Sequence, residues 1–205
     1  QDSLVGSEMC IRDRFRGLVE NLPLEERLGR VWIAEKAILT PETTYLGSVL
    51  GLAENLLSGS TTVMDMFWYP DETVRAAKDL GMRISTGGIF FDLPGIGGRS
   101  HENYVLEAQN FYKSHSSDDS VIPAILPHGS YTVSPQNLSE AKSIADEYGI
   151  LFCTHAAETQ AEQNDIKTRY DNSVIRHLDK YKLLGETSVL AHCVHLDETE
   201  ISLLA

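Results

Sequence analysis

The residues best suited to chemistry are histidines that follow apolar runs. His155-Ala156-Ala157-Glu158 comes directly after Ile150-Leu151-Phe152-Cys153-Thr154, and Ala191-His192-Cys193-Val194-His195 after Ser188-Val189-Leu190. Pro127-His128-Gly129-Ser130-Tyr131 ends a third run, and Asp65 lies in a fourth. Strand side chains alternate, so His155 and Glu158 would face opposite ways within one strand. Glu158 can join His155 only if the strand has ended and the chain has turned. That arrangement suits a metal-ligating imidazole beside a carboxylate that moves protons. The alternative is a capped loop histidine with a solvated glutamate. His192 shares a strand face with Leu190 and Val194, where an imidazole without a partner loses hydration at a cost. The alternative there is a core histidine bonded to backbone. For His128 it is a surface loop histidine. His101, His115 and His177 lie in polar surroundings and read as solvated.

These residues need elements to position them. Thr40-Pro41-Glu42 starts a helix with a hydroxyl cap, a proline at the first position and an acid in the first turn. Leu46, Val49, Leu50, Ala53, Leu56 and Leu57 give it one apolar face before Gly59. Residues 61–67 read as a strand, Pro70 opens a helix that stops at Gly81, and 83–90 is again strand-like. A polar helix over 101–114 precedes a strand over 121–128. Ser134-Pro135 caps a helix that Gly149 terminates before the strand 150–155, and a further helical stretch ends near Gly185 before 188–193. Helices closing on Gly81, Gly149 and Gly185 ahead of apolar strands imply a parallel sheet covered by helices, with five strands and no second domain. A doubly wound sheet and a β/α barrel both satisfy that pattern. Asp65, His128, His155 and His192 each sit at or near the end of a different strand, which favours the barrel, because an open sheet uses mainly its switch point. The expected fold class is α/β, a partial (β/α)8 TIM-like barrel with about five central strands.

Composition narrows the partners. The 205 residues carry 17 Lys+Arg against 30 Asp+Glu, a formal charge of −13. Such acidity argues against nucleic acid and against an anionic membrane surface. No run approaches the roughly 18 apolar residues of a membrane helix. The three cysteines, Cys10, Cys153 and Cys193, form neither a disulfide framework nor a paired zinc motif, so a cytoplasmic location is expected. Residues 1–14 lack a signal-peptide core. Met9-Cys10-Ile11-Arg12-Asp13 back-translates to the end of a transposon adapter used for sequencing libraries, so 1–14 reads as a non-native, adapter-derived segment. Gly95-Ile96-Gly97-Gly98-Arg99 reads as a loop rather than a nucleotide cradle.

In order, PHGSYTVSP, FCTHAAETQAE and VLAHCVHLDETEISLLA resemble the amidohydrolase superfamily. More narrowly they resemble its S-adenosylhomocysteine/methylthioadenosine deaminase and chlorohydrolase branch. FRGLVENLPLEERL and LLSGSTTVMDMFWYPD extend the likeness, so 15–205 is identified as a partial barrel domain of that superfamily. The resemblance implies a metal-dependent hydrolase holding one divalent ion, zinc first and iron second, and acting on a small-molecule substrate. It makes His155 the metal ligand. Glu158 would protonate the attacked ring nitrogen and shuttle protons from water. His192 would orient that water, and His128 would contact substrate. Glu35 aligns with a glutamate that grips ribose hydroxyls, and Arg99 with an arginine that meets a substrate carboxylate. A homo-oligomer is compatible with all of this.

The departures from the family pattern carry equal weight. Its paired HxH metal ligands should precede Phe15, and its aspartate ligand should follow Ala205. Gly88 stands where homocysteine-handling relatives carry a second arginine. The expected function is hydrolytic deamination of an adenosine-like or other heterocyclic substrate. An s-triazine chlorohydrolase and a non-catalytic α/β binding module are the alternatives. Five strands cannot close a barrel, so the isolated chain is expected to be inactive and prone to aggregate.

Overall fold

A computed structural model describes residues 22, 24–92 and 98–205. Residues 1–14 with Cys10, the stretch from Phe15 to Asn21, and Gly95 to Gly97 of the glycine loop lie outside the described residues. Five strands, Thr62–Met64 (β1), Arg83–Phe90 (β2), Val121–Pro127 (β3), Leu151–Ala156 (β4) and Ser188–His192 (β5), follow one another in the sheet in chain order. The β1–β2, β3–β4 and β4–β5 pairings are parallel. Sequential parallel order with intervening helices is the winding of a β/α barrel; a doubly wound sheet reverses direction at its switch point. The α/β fold with five strands of that winding is therefore as expected. No helix among the described residues is long and apolar enough to cross a membrane.

The described residues form two compact units, the first drawn from 22–87, 98 and 109–123 and the second from 88–92, 99–108 and 124–205. Among its described residues, the first holds Leu24–Ile38 (α1), Pro41–Leu57 (α2), β1, Pro70–Leu80 (α3) and the start of β2. Its core gathers Leu52, Val63, Val74, Ala76, Ala77, Met82, Ile84, Phe111 and Val121. The Thr40 cap is reciprocal: its hydroxyl accepts from Thr43 N at 3.1 Å, and its own amide donates to Thr43 Oγ1 at 2.9 Å.

The buried face of α2 differs from the expected one. Thr44, Gly47, Ser48, Gly51 and Leu52 are buried, whereas Leu46, Leu50 and Leu57 are 56 %, 48 % and 89 % exposed. Both sets recur at helical spacing. The small-residue set is the one packed against α3, where Ser48 Oγ lies 3.4 Å from Thr73 Oγ1. Close helix approach favours small side chains, and leucine count alone does not reveal it.

The second unit holds the C-terminal parts of β2 and β3, the first half of His101–His115 (α4), Pro135–Tyr148 (α5), β4, Gln160–Tyr170 (α6), Val174–Lys180 (α7), β5 and Glu198–Leu204 (α8). Ser134 caps α5, and Gly149 ends it in the left-handed region at φ 65. The stretch before β5 is two helices rather than one, and Gly185 does not terminate it. Asp171 ends α6 at φ 53, and after α7 it is Lys182 that turns left-handed at φ 57. α1 and α8 were not anticipated from the sequence.

His177 also corrects the expectation of a solvated imidazole. It is fully buried between Tyr170 and Tyr181, with ring centroids 4.4 and 5.0 Å away, and neither ring nitrogen has a hydrogen-bond partner. Burial, with the Lys180 and Arg169 charges, holds it below its ordinary 6.5. The unfolded chain therefore binds the proton more readily than the folded one. Stability contributed by neutral His177 is complete above about pH 6.5 and falls as the pH drops below it. His177→Phe is expected to flatten the urea midpoint between about pH 7 and 5, where wild type loses stability.

Gly88 in β2 lies against α4, where a Cβ would come 2.2 Å from Ala108 Cβ and 2.7 Å from its Cα. The room for any side chain at this position, arginine included, is occupied by helix backbone. Gly88→Ala is expected to destabilise the chain by about 1–3 kcal/mol through overpacking, read as a lowered urea midpoint at unchanged slope.

Candidate active site

β4 carries His155 out of the core, and the chain then turns at once. The strand ends at Ala156, Ala157 adopts the left-handed region at φ 54, and Glu158 follows. Alanine disfavours that region by roughly 1–2 kcal/mol. The turn is held by hydrogen bonds from the segment leaving β5. Ala156 O accepts from Cys193 N at 2.9 Å, and Ala157 O accepts from Val194 N and His195 N, both at 3.0 Å.

β5 ends in the same way. Register pairs His155 with Ala191 and Ala156 with His192, so the pleat alone would place the two imidazoles on opposite faces. His192 and Cys193 instead adopt φ 76 and φ 51, which ends the pleat. The His155 and His192 rings then stack with centroids 5.3 Å apart, and His192 Nε2 lies 3.6 Å from Glu158 Oε2. His192 does not share a buried face with Leu190 and Val194, because Val194 lies beyond the strand and is 65 % exposed. The His192 and Glu158 side chains are about one-quarter exposed, as groups that meet a ligand must be.

His155 is 4 % exposed, and its orientation is fixed by the loop after β3. The His128 carbonyl accepts from the His155 amide at 3.1 Å and lies 2.6 Å from His155 Nδ1. A carbonyl can only accept, so Nδ1 carries the proton and Nε2 the lone pair. Metal-ligating histidines have this tautomer, with the outer nitrogen donated to a carbonyl or carboxylate. His155 therefore fits a ligand position. Among the described residues no group of three or more His, Cys, Asp or Glu could hold a metal ion, and zinc sites need at least three protein ligands.

The His128 ring packs 4.8 Å from His155, 5.1 Å from Phe91 and 5.5 Å from Tyr131. Its Nδ1 lies 2.9 Å from Thr132 Oγ1, whose hydroxyl donates to Gly129 O at 3.2 Å. A Cβ at Gly129 would come 2.9 Å from the Tyr131 ring. Asp92 closes the loop by accepting from Ser134 N at 2.6 Å and Asn137 Nδ2 at 2.8 Å.

The structure thus brings His128, His155, Glu158 and His192 together in the second unit. Arg99 belongs to the same unit and pairs with Glu107 on α4, Nε to Oε1 at 2.8 Å. Glu35 belongs to the first unit, on α1, and is 1 % exposed there. Asp65 follows β1 in that unit and is also buried. Burial and the Glu162 and Glu200 carboxylates hold the Cys193 thiol above its ordinary range. Sequence reading passed over Thr132 and Glu162. Glu162 had a visible signal in its place three residues after Thr159, the spacing of a helix-capping pair.

Comparison with known proteins accounts for this arrangement. The chain matches the amidohydrolase family over residues 10–205. It is 36 % identical over 191 residues to a 5-methylthioadenosine/S-adenosylhomocysteine deaminase of Aquifex aeolicus, covering 93 % of this chain and 44 % of that protein. It is 33 % identical to a 5'-deoxyadenosine deaminase of Methanothermobacter thermautotrophicus, covering 93 % of this chain and 45 % of that protein. The chain thus spans less than half the length of these relatives. Among solved structures, a zinc-bound adenosine deaminase from Xanthomonas campestris superposes with a TM-score of 0.90 at 28 % identity, covering 97 % of this chain and 45 % of that one. An atrazine chlorohydrolase from Arthrobacter aurescens, complexed with zinc, reaches 0.83 at 22 % identity, covering 98 % and 49 %, and shares the fold. Winding, strand-end histidines and the match over 10–205 agree: the chain belongs to the amidohydrolase family.

Proposed function

We propose that this chain supplies one part of the active site of a metal-dependent aminohydrolase that deaminates an adenosine-like substrate. The observation that carries the reading is the pairing of Glu158 with His192 beside His155, across two strand ends that both break into left-handed backbone. His155 would hold one ligand position of a divalent ion, zinc first and iron second, with the other ligands supplied from elsewhere in the whole protein. Bound there, the ion would act as a Lewis acid toward water.

Hydrolytic deamination forms a C–O bond and breaks a C–N bond, and water's proton leaves with ammonia. Glu158 takes one proton from the water and gives it to the ring nitrogen as the oxygen attacks, then takes the second from the added oxygen and passes it to the departing amine. His192 fixes the Glu158 carboxylate and orients the attacking water. His128 would contact the substrate through Nε2, the ring nitrogen that does not face Thr132. Arg99 would meet a substrate carboxylate only by releasing Glu107. Deaminase relatives above 30 % identity support this substrate class, while the triazine enzymes share the fold alone. Chloride displacement also has no need of a carboxylate that moves two protons.

The test uses the intact protein that carries this chain. Glu158→Gln is expected to lower ammonia release from adenosine derivatives on the order of 10²- to 10⁴-fold while the thermal midpoint stays unchanged. His155→Ala is expected to lose stoichiometric metal by elemental analysis. An intact wild-type protein that turns over no adenosine, guanine or triazine substrate overturns the reading; chloride release without ammonia release replaces it with the chlorohydrolase.

A further inference from the structure

Thr159-Gln160-Ala161-Glu162 opens α6 with the residue types of a capping box, threonine at the cap and glutamate three residues on. Half of the box is made, since Thr159 Oγ1 accepts from the Glu162 amide at 3.1 Å. The other half is diverted. In the box at α8, Glu200 Oε2 accepts from the amide of its own cap residue, Asp197, at 2.9 Å. Glu162 Oε2 reaches one residue farther back and accepts from the amide of Glu158 at 2.8 Å.

This placement is costly. Glu162 is 4 % exposed, and its other oxygen, Oε1, is buried without a hydrogen-bond partner. Burial pushes the carboxyl up to about 7, against the help it receives from the Glu158 and Ala157 amides. Capping alone could be done by an acid in water, as most first-turn acids do it. What the buried carboxyl secures is the amide of the one residue whose own carboxylate meets His192. It also braces the unfavourable φ 54 of Ala157 from the α6 side, while the β5 exit braces it from the other.

We infer that Glu162 is a positioning residue, whose carboxyl clamps the turn at Ala157 and Glu158 and so sets where the Glu158 side chain stands against His155 and His192. The inference rests on the aminohydrolase reading for its kinetic consequence and on this chain's geometry for the rest.

Three variants test it. Glu162→Gln keeps an acceptor for the Glu158 amide. Glu162→Met keeps the volume but removes the acceptor, so that the Glu158 amide loses its partner; Glu162→Ala serves if it does not fold. Thr159→Ala removes the cap hydroxyl and leaves the clamp. In the intact protein, Glu162→Met is expected to lower kcat on the order of 10- to 100-fold with KM little changed, the size of effect that small misplacements of a reacting group produce. Glu162→Gln should restore kcat to near the wild-type value, and Thr159→Ala should melt earlier with kcat kept. In the intact protein, amide hydrogen exchange at Glu158 should quicken in Glu162→Met and not in Glu162→Gln. The inference is overturned by wild-type kcat in Glu162→Met, by Glu162→Gln as slow as Glu162→Met, or by Thr159→Ala reproducing the loss. If the wild-type intact protein deaminates nothing, the functional reading fails and exchange at Glu158 alone decides the clamp: faster in Glu162→Met supports it, unchanged overturns it.

Discussion

Everything at the candidate site depends on where β4 stops. One left-handed residue, Ala157, separates a strand that presents His155 alone from a turn that delivers Glu158 beside it. Ala157 makes that turn without the conformational freedom of glycine, so the conformation persists only because its surroundings dictate it. Three amides from the β5 exit, those of Cys193, Val194 and His195, bind the carbonyls of Ala156 and Ala157. The exits of adjacent parallel strands are thus bonded to each other beyond the sheet. One strand end cannot relax without the other, which couples the placement of His155 to that of His192.

A second layer fixes proton positions. His128 takes part twice, with its carbonyl setting the His155 tautomer and its ring held by Thr132. The first bond places the proton on His155 Nδ1 and leaves Nε2 as an acceptor, and the second orients the His128 ring. The loop that does this is anchored in turn by Asp92 at the end of β2 and by the cap of α5. Backbone carbonyls and hydroxyls perform the orienting, so the carboxylate of Glu158 is left for proton transfer.

The same unit tolerates polar burial that a core built for stability alone would avoid. Glu162 and Glu200 each bury an oxygen without a hydrogen-bond partner, and His177 buries a whole imidazole between two tyrosines. Each costs free energy of desolvation. For Glu162 the geometry supplies a compensating use in the turn that carries Glu158. In the first unit the packing is of a different kind. Small residues of α2 meet α3 beside the buried Leu52, while Leu46, Leu50 and Leu57 stay largely exposed.

Much of this was legible in the residues themselves. β-branched and apolar runs fixed the five strands, Thr40 and Ser134 marked helix starts, and Gly81 and Gly149 marked helix ends, because each of these signals acts within a few residues of chain. The HAAE and AHCVH segments identified the chemistry by residue type, and the need for a turn after His155 followed from the pleat. Other features depended on partners distant in sequence and could not be read locally. Leucine periodicity pointed to the wrong face of α2, since only the approach of α3 selects the small residues at Gly47, Ser48 and Gly51. A polar neighbourhood in sequence hid the burial of His177. Lys182, not Gly185, took the left-handed role after α7, because hydrogen bonding back to Leu178 and Asp179 outweighed the preference for glycine. Sequence alone therefore determined which elements form and which residue types could react. Tertiary structure decided which faces those elements bury and, through bonds between the ends of β4 and β5, that His155, Glu158 and His192 meet at all.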